Sequence, residues 1–96
     1  MNASNPETAR PAAIVTGGAR GIGLAIARRL IRDGYHVVLW DLDPDATAQA
    51  AAALGPFCQS RVVDVTDSTQ IASALKELTI TGRSLRAVVN NAGILG

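Results

Sequence analysis

Short apolar runs alternate along this chain with stretches in which apolar side chains return every three or four positions, the signatures of strands and of amphipathic helices respectively. "AAIVT", opening at Ala12, is apolar without a break and reads as a strand buried on both faces. A helical pattern follows from Ile22 to Ile31, with Ile22, Ile26 and Leu30 as its stripe, Ala25 and Ala27 between them, and Asp33-Gly34 as the stop. "YHVVLW" then predicts a second strand ending at Asp41. Asp43-Pro44 supplies a cap and a proline at the first helical position, and an alanine-rich run closes at Gly55-Pro56. "SRVVDV" predicts a third strand. Asp67-x-x-Gln70 has the form of a capping box ahead of a third helix striped by Ile71, Leu75 and Leu78, and a polar stretch near Gly82 leads to "LRAVVN", the fourth strand. Residues 1–10 read as a loose tail, and residues 11–96 as one folded portion.

Strands and helices that alternate on short connections imply right-handed crossovers, hence an α/β fold with a doubly wound parallel sheet. The expected strand order is 3-2-1-4. In such a sheet ligands sit beyond the carboxyl ends of the strands, where the order reverses between strands 1 and 4. Two glycine-bearing segments fall there, "TGGARGIG" (Thr16 to Gly23) and "NNAG" (Asn90 to Gly93). Glycine inside regular structure costs up to about 1 kcal/mol relative to alanine, so four glycines in eight residues need positional reasons. The sharp exit from the strand suits Gly17, close approach of backbone to a ligand suits Gly21, and tight helix–sheet packing suits Gly23. The helix N-terminus that follows favours an anion such as a pyrophosphate. A glycine-rich turn with no ligand is the plainer alternative.

Composition narrows the classes. Of 96 residues 48% are hydrophobic, enough for a core, and the formal charge of +1 comes from scattered basic residues or from Arg28, Arg29 and Arg32 at a helix end, which argues against nucleic acid as a partner. No apolar run approaches a membrane span, and the polar start "MNASNPETARP" lacks the core of a secretion signal, so a cytoplasmic location with no membrane partner is expected. Cys58, the single cysteine, has no cysteine partner for a disulfide or a metal and reads as a small buried residue.

Asp41 lies 18 residues beyond Gly23, close to the spacing of about 20 at which a dinucleotide fold sets an acid against the adenosine ribose. Asp43 is better explained as a helix cap. Asp64 closes the third strand's "DV", where it could accept from an adenine amino group with Val65 against the ring, or serve as a turn acid. T-G-x-x-x-G-x-G at Thr16 to Gly23, Asp41, Asp64-Val65 and N-N-A-G at Asn90 to Gly93, in this order and spacing, resemble the short-chain dehydrogenase/reductase family, a Rossmann-type fold. The resemblance implies that Gly17, Arg20, Gly21, Ile22 and Gly23 hold pyrophosphate and ribose, Asp41 the ribose hydroxyls, Asp64 and Val65 the adenine, and Asn91, Ala92 and Gly93 the adenosine ribose region. Thr16 and Asn90 would knit adjacent strand ends.

The family's chemistry is hydride transfer between a nicotinamide and an alcohol or ketone, with the tyrosine of a Tyr-x-x-x-Lys motif as general acid or base and a serine and an asparagine orienting the substrate. That motif is missing from these 96 residues: Tyr35 has Leu39 where the lysine would stand, and Lys76 has Ala72 where the tyrosine would. The expectation is therefore a cofactor-binding half of an oxidoreductase, inactive alone and completed by the remainder of the polypeptide or a complementary chain. The complete protein is expected to be a homo-oligomer. A non-catalytic dinucleotide-binding module or sensor is the alternative function, and a methyltransferase-type fold is disfavoured by "NNAG". Asp41 points to NAD over NADP because a carboxylate repels a 2′-phosphate, while Arg20 pulls the other way.

Overall fold

The computed structural model describes residues 10–91. The expected elements are present in the expected order: β1 (Ala12–Thr16), α1 (Gly21–Arg32), β2 (His36–Asp41), α2 (Pro44–Leu54), β3 (Cys58–Val62), α3 (Ser68–Ile80) and β4 (Leu85–Asn90). All strand pairs are parallel and the sheet order is β3-β2-β1-β4, a doubly wound Rossmann-type sheet. Every residue of β1 is buried, as an uninterrupted apolar run in a covered parallel strand should be.

Alternation of side chains across the strands divides the interior into two clusters. Ile14, Val38, Trp40 and Val63 pack on one face with Ala74 and Leu78 of α3, and Ala13, Val15, Val37 and Leu39 pack on the other with Ala27 of α1 and Ala50 of α2. Each fully buried Val, Leu or Ile contributes about 1.5–3 kcal/mol relative to exposure. An ion pair of 2.6 Å between Arg61 and Glu77 links β3 to α3. Asp43 and Asp67 cap α2 and α3 as their sequence contexts indicate, each accepting from two backbone amides.

Three details differ from the sequence reading. First, α1 rests on Gly23 and Ala27 rather than on a stripe begun by Ile22, which is 66% exposed, and Ala25 is exposed as well. Second, β3 starts at Cys58 and ends at Val62, earlier than "SRVVDV" suggests, because its register is set by pairing Val37 with Cys58 through Asp41 with Val62. Asp64 therefore stands beyond the strand, not at its end. Third, Arg10 is anchored: its guanidinium donates to the Tyr35 carbonyl at 2.9 Å and lies 3.5 Å from the Phe57 ring centroid. The rest of the tail, together with Ala92 and Gly93, lies outside the described residues.

Candidate functional site

β1 ends with Thr16 in register between Trp40 of β2 and Asn90 of β4, so the three strand tips meet where the sheet order reverses. The loop that leaves β1 is tied down on both sides. Toward β2, the Gly17 amide donates to the Trp40 carbonyl at 2.7 Å and the Ala19 amide to Asp41 Oδ2 at 3.2 Å. Toward β4, Thr16 Oγ1 donates to Asn90 Oδ1 at 3.1 Å and Asn91 Nδ2 donates to the Gly17 carbonyl at 3.2 Å. Thr16 and Asn90 do knit the strand ends, as expected.

Beyond these tips lies a cleft of about 530 Å³. Its lining includes Gly17, Arg20, Gly21, Ile22, Asp41, Asp64, Val65 and Asn91, which brings together all but one of the described residues singled out from the sequence. The exception, Gly23, sits behind the wall: a Cβ there would stand 2.3 Å from the Gly17 carbonyl oxygen and 2.8 Å from Asn91 Nδ2, so only a hydrogen fits between helix and loop. Gly21 is the opposite case. Its φ of +61° lies in the left-handed region and a Cβ would meet nothing within 4 Å. The backbone is bare toward open space at this point, which a bulky side chain would fill.

The N-terminus of α1 also differs from the other two. Arg20 occupies its N-cap position and no side chain caps the amides, where Asp43 and Asp67 cap the other two; as in α3, no acidic residue stands in the first turn. The first amides of a helix have no intrahelical acceptor, and with the positive end of the dipole they attract an anion. Asp41, at the tip of β2, faces this loop; besides Ala19 its carboxylate accepts from its neighbour's amide, Leu42 N–H to Oδ1 at 2.7 Å. Arg20 Nη2 reaches past it to Asp43 Oδ2 at 3.3 Å, and the same Asp43 carboxylate caps α2 through Oδ1.

Asp64 forms a turn of its own. Oδ1 accepts from the Thr66 amide at 2.9 Å and from Thr66 Oγ1 at 2.6 Å, and these bonds hold its carboxyl below the usual carboxylate range. The Asp64 amide donates to Gln70 Oε1 at 2.9 Å, so the α3 cap and this turn form one unit. The turn-acid reading of Asp64 accounts for one oxygen, while its place in the cleft lining leaves the residue beside any ligand there. Trp40, Leu42, Val63 and Thr66 also line the cleft, and sequence reasoning missed them. Leu42, 63% exposed next to Asp41, carried the available signal: a large apolar side chain in a polar loop at a strand's carboxyl end.

A dinucleotide fits what these residues offer. Uncapped amides and the open Gly21 backbone suit a pyrophosphate, Asp41 suits ribose hydroxyls, and Ile22, Leu42 and Val65 give apolar faces to a base. Among the described residues, the tyrosine and the histidine lie away from the cleft. His36 stands at the opposite end of β2, about 16 Å from Asp41 at 3.3 Å per residue, and Tyr35 just before it, with His36 Nε2 2.7 Å from Gln59 Oε1.

A family model described as short chain dehydrogenase matches residues 11–96. Galactitol 2-dehydrogenase of Agrobacterium fabrum is 38% identical over 82 residues, spanning 85% of this chain and 32% of that protein. 2-(S)-hydroxypropyl-CoM dehydrogenase 3 of Xanthobacter autotrophicus is 42% identical over 85 residues, spanning 85% of this chain and 33% of that protein. Among solved structures, menthone neomenthol reductase from Mentha piperita superimposes with a TM-score of 0.81 at 30% identity, covering 88% of this chain and 32% of that one. The 3-hydroxyacyl-CoA dehydrogenase type-2 from Mycobacterium avium gives 0.78 at 34% identity, covering 91% and 34%. The chain spans about a third of the length of these relatives.

Proposed function

The chain belongs to the short chain dehydrogenase family, and from that premise we propose that it supplies the cofactor-binding portion of an NAD-dependent oxidoreductase acting on a small alcohol or ketone. The observation that carries this reading is the meeting, in one cleft, of the uncapped α1 N-terminus with the Asp41 carboxylate at the tip of β2. Gly17, Arg20, Gly21 and Ile22 lie along the pyrophosphate and ribose, with Gly23 seating the helix that presents the amides. Asp41 accepts from the ribose hydroxyls, Asp64 and Val65 border the adenine, and Asn91 closes the adenosine side, a role the motif resemblance extends to Ala92 and Gly93 outside the described residues.

A nicotinamide cofactor held by these residues would supply hydride-transfer chemistry. This chain's residues bind and orient it, and the proton donor and the groups that choose the substrate come from the remainder of the polypeptide or a complementary chain. The distance of Tyr35 and His36 from the cleft supports that division, as do the names of the relatives, which are dehydrogenases and reductases. Residues 11–96 form part of a larger domain on this reading, and a cytoplasmic, homo-oligomeric enzyme is the setting in which it works.

NAD is the preferred cofactor because a 2′-phosphate, with about −1.5 to −2 charges by analogy with other phosphates, would meet the Asp41 carboxylate. Titration of the full-length protein with NAD and NADP is the test. NAD should bind more tightly, and Asp41→Ala should narrow the difference. Equal or tighter binding of NADP by the unaltered protein would overturn the assignment. A protein that binds NAD yet turns over no alcohol or ketone in a broad panel would instead be the non-catalytic module.

A further inference from the structure

Arg20 presents a difficulty for an NAD site: it lines the cleft, and a guanidinium near the adenosine ribose is the group that would welcome a 2′-phosphate. The structure holds an answer in Asp43. We infer that Asp43 is a specificity-determining residue, whose carboxylate draws Arg20 away from the ribose position and so withholds it from a 2′-phosphate. This rests on the reading of the Asp41 end of the cleft as the adenosine end of a dinucleotide site.

The geometry divides the two oxygens of Asp43 between two tasks. Oδ1 accepts from the Asp45 and Ala46 amides at 3.1 and 3.0 Å, which fixes the carboxylate at the start of α2, and Oδ2 meets Arg20 Nη2 at 3.3 Å. Because the helix cap already immobilises the acceptor, the pair orders only one long side chain, a smaller entropic cost than two free side chains would carry. The arginine is paired with Asp43 and not with Asp41, whose two oxygens each accept from one backbone amide, Ala19 and Leu42, and keep further accepting capacity for a ligand. The pair is accessible to solvent, with side-chain exposures of 72% for Arg20 and 44% for Asp43, so it biases rather than locks the arginine. Asp41 repels the 2′-phosphate, and Asp43 occupies Arg20, the one cation among the described residues of the cleft lining.

The test uses the full-length protein and two nucleotides that share the adenosine half alone, 5′-AMP and adenosine 2′,5′-bisphosphate, titrated calorimetrically at low salt. Asn is as good a helix cap as Asp, so Asp43→Asn removes the charge while keeping α2 in place, and Asp43→Ser provides a second capping variant. Each should improve binding of the bisphosphate relative to 5′-AMP by roughly two- to fivefold, the range expected for releasing one exposed ion pair. The improvement should disappear when Arg20→Gln is added and should shrink as salt is raised. An improvement of equal size with and without Arg20 would mean simple relief of repulsion and would overturn the inference, as would an unchanged ratio in both capping variants. Failure of the unaltered protein to bind either nucleotide would overturn the dinucleotide reading and this inference with it.

Discussion

Replacing Gly23 by alanine tests the seat of α1 with a single methyl group. Its Cβ would stand 2.3 Å from the Gly17 carbonyl oxygen and 3.0 Å from Gly18 Cα, against the 3.0 Å that real Cβ contacts rarely breach, so helix and loop must part by about 0.7 Å, the difference between 3.0 and 2.3 Å. Both partners are backbone and no rotamer can absorb the clash. Overpacking of this kind costs roughly 1–3 kcal/mol. The Asn91 bond to the Gly17 carbonyl would be strained or lost at roughly 0.5–1.5 kcal/mol, and the better helix propensity of alanine returns up to about 1 kcal/mol. The net is a loss of about 1–3 kcal/mol. In the full-length protein, at roughly 2–4 °C per kcal/mol for a domain of about 150–250 residues, Tm should fall on the order of 3–12 °C in a melt followed by circular dichroism. Dinucleotide affinity should fall as well, since the amides move with the helix. A Tm within about 2 °C of the unaltered protein would refute the close seating of α1 on the Gly17–Gly18 backbone.

Gly21→Val should abolish measurable dinucleotide binding in a calorimetric titration, because a β-branched side chain would project into the open cleft. It should also lower stability by about 1–2 kcal/mol, since φ is +61° there, and unchanged affinity would reduce the motif to a structural turn. Burial pushes the Cys58 thiol up to about 11, above its ordinary value near 8.5. The neutral thiol's contribution is thus complete below about pH 8.5 and lost as pH rises toward 11, so urea midpoints should decline over that window and flatten in Cys58→Ala. Residues 1–96 expressed alone should lack dehydrogenase activity and self-associate through β4, where Val88 is 58% and Leu85 41% exposed. Gel filtration should show oligomers that Val88→Lys shifts toward monomer, and a monodisperse, active fragment would contradict the proposed division of the enzyme.

Element order, sheet topology and the two aspartate caps were legible in the sequence because each rests on local rules: apolar runs for covered strands, Asp-Pro and Asp-x-x-Gln for helix starts. What local rules misjudged was set by contacts far apart along the chain. Ile22 has helical spacing with Ile26, yet the contact of Gly23 with Gly17 rotates α1 so that the 23/27 line faces the sheet and Ile22 turns to the cleft. Val62 and Val63 read as a strand pair, but register with β2 ends the ladder at Val62, and Val63 is buried just past it with its amide on the Asp41 carbonyl at 3.2 Å. That Gly17, Arg20, Asp41, Asp64 and Asn91 share one cleft was readable from motif spacing, while the pairing of Asp43 with Arg20 was not, since nothing local connects it to a residue 23 positions earlier.

The bond from Asn91 to Gly17 and that from Thr16 to Asn90 each join residues 74 positions apart. During synthesis, then, the glycine loop and its helix emerge long before the residues that hold the loop in place. At about 5–20 residues per second, several seconds separate the appearance of the loop from that of its brace. Through that interval the nascent chain carries the glycine loop without the bonds that fix it in place. Completion of the cleft is thereby timed by the arrival of β4, and any ligand of the cleft present during translation would favour the docked strand only after the chain has passed Asn91.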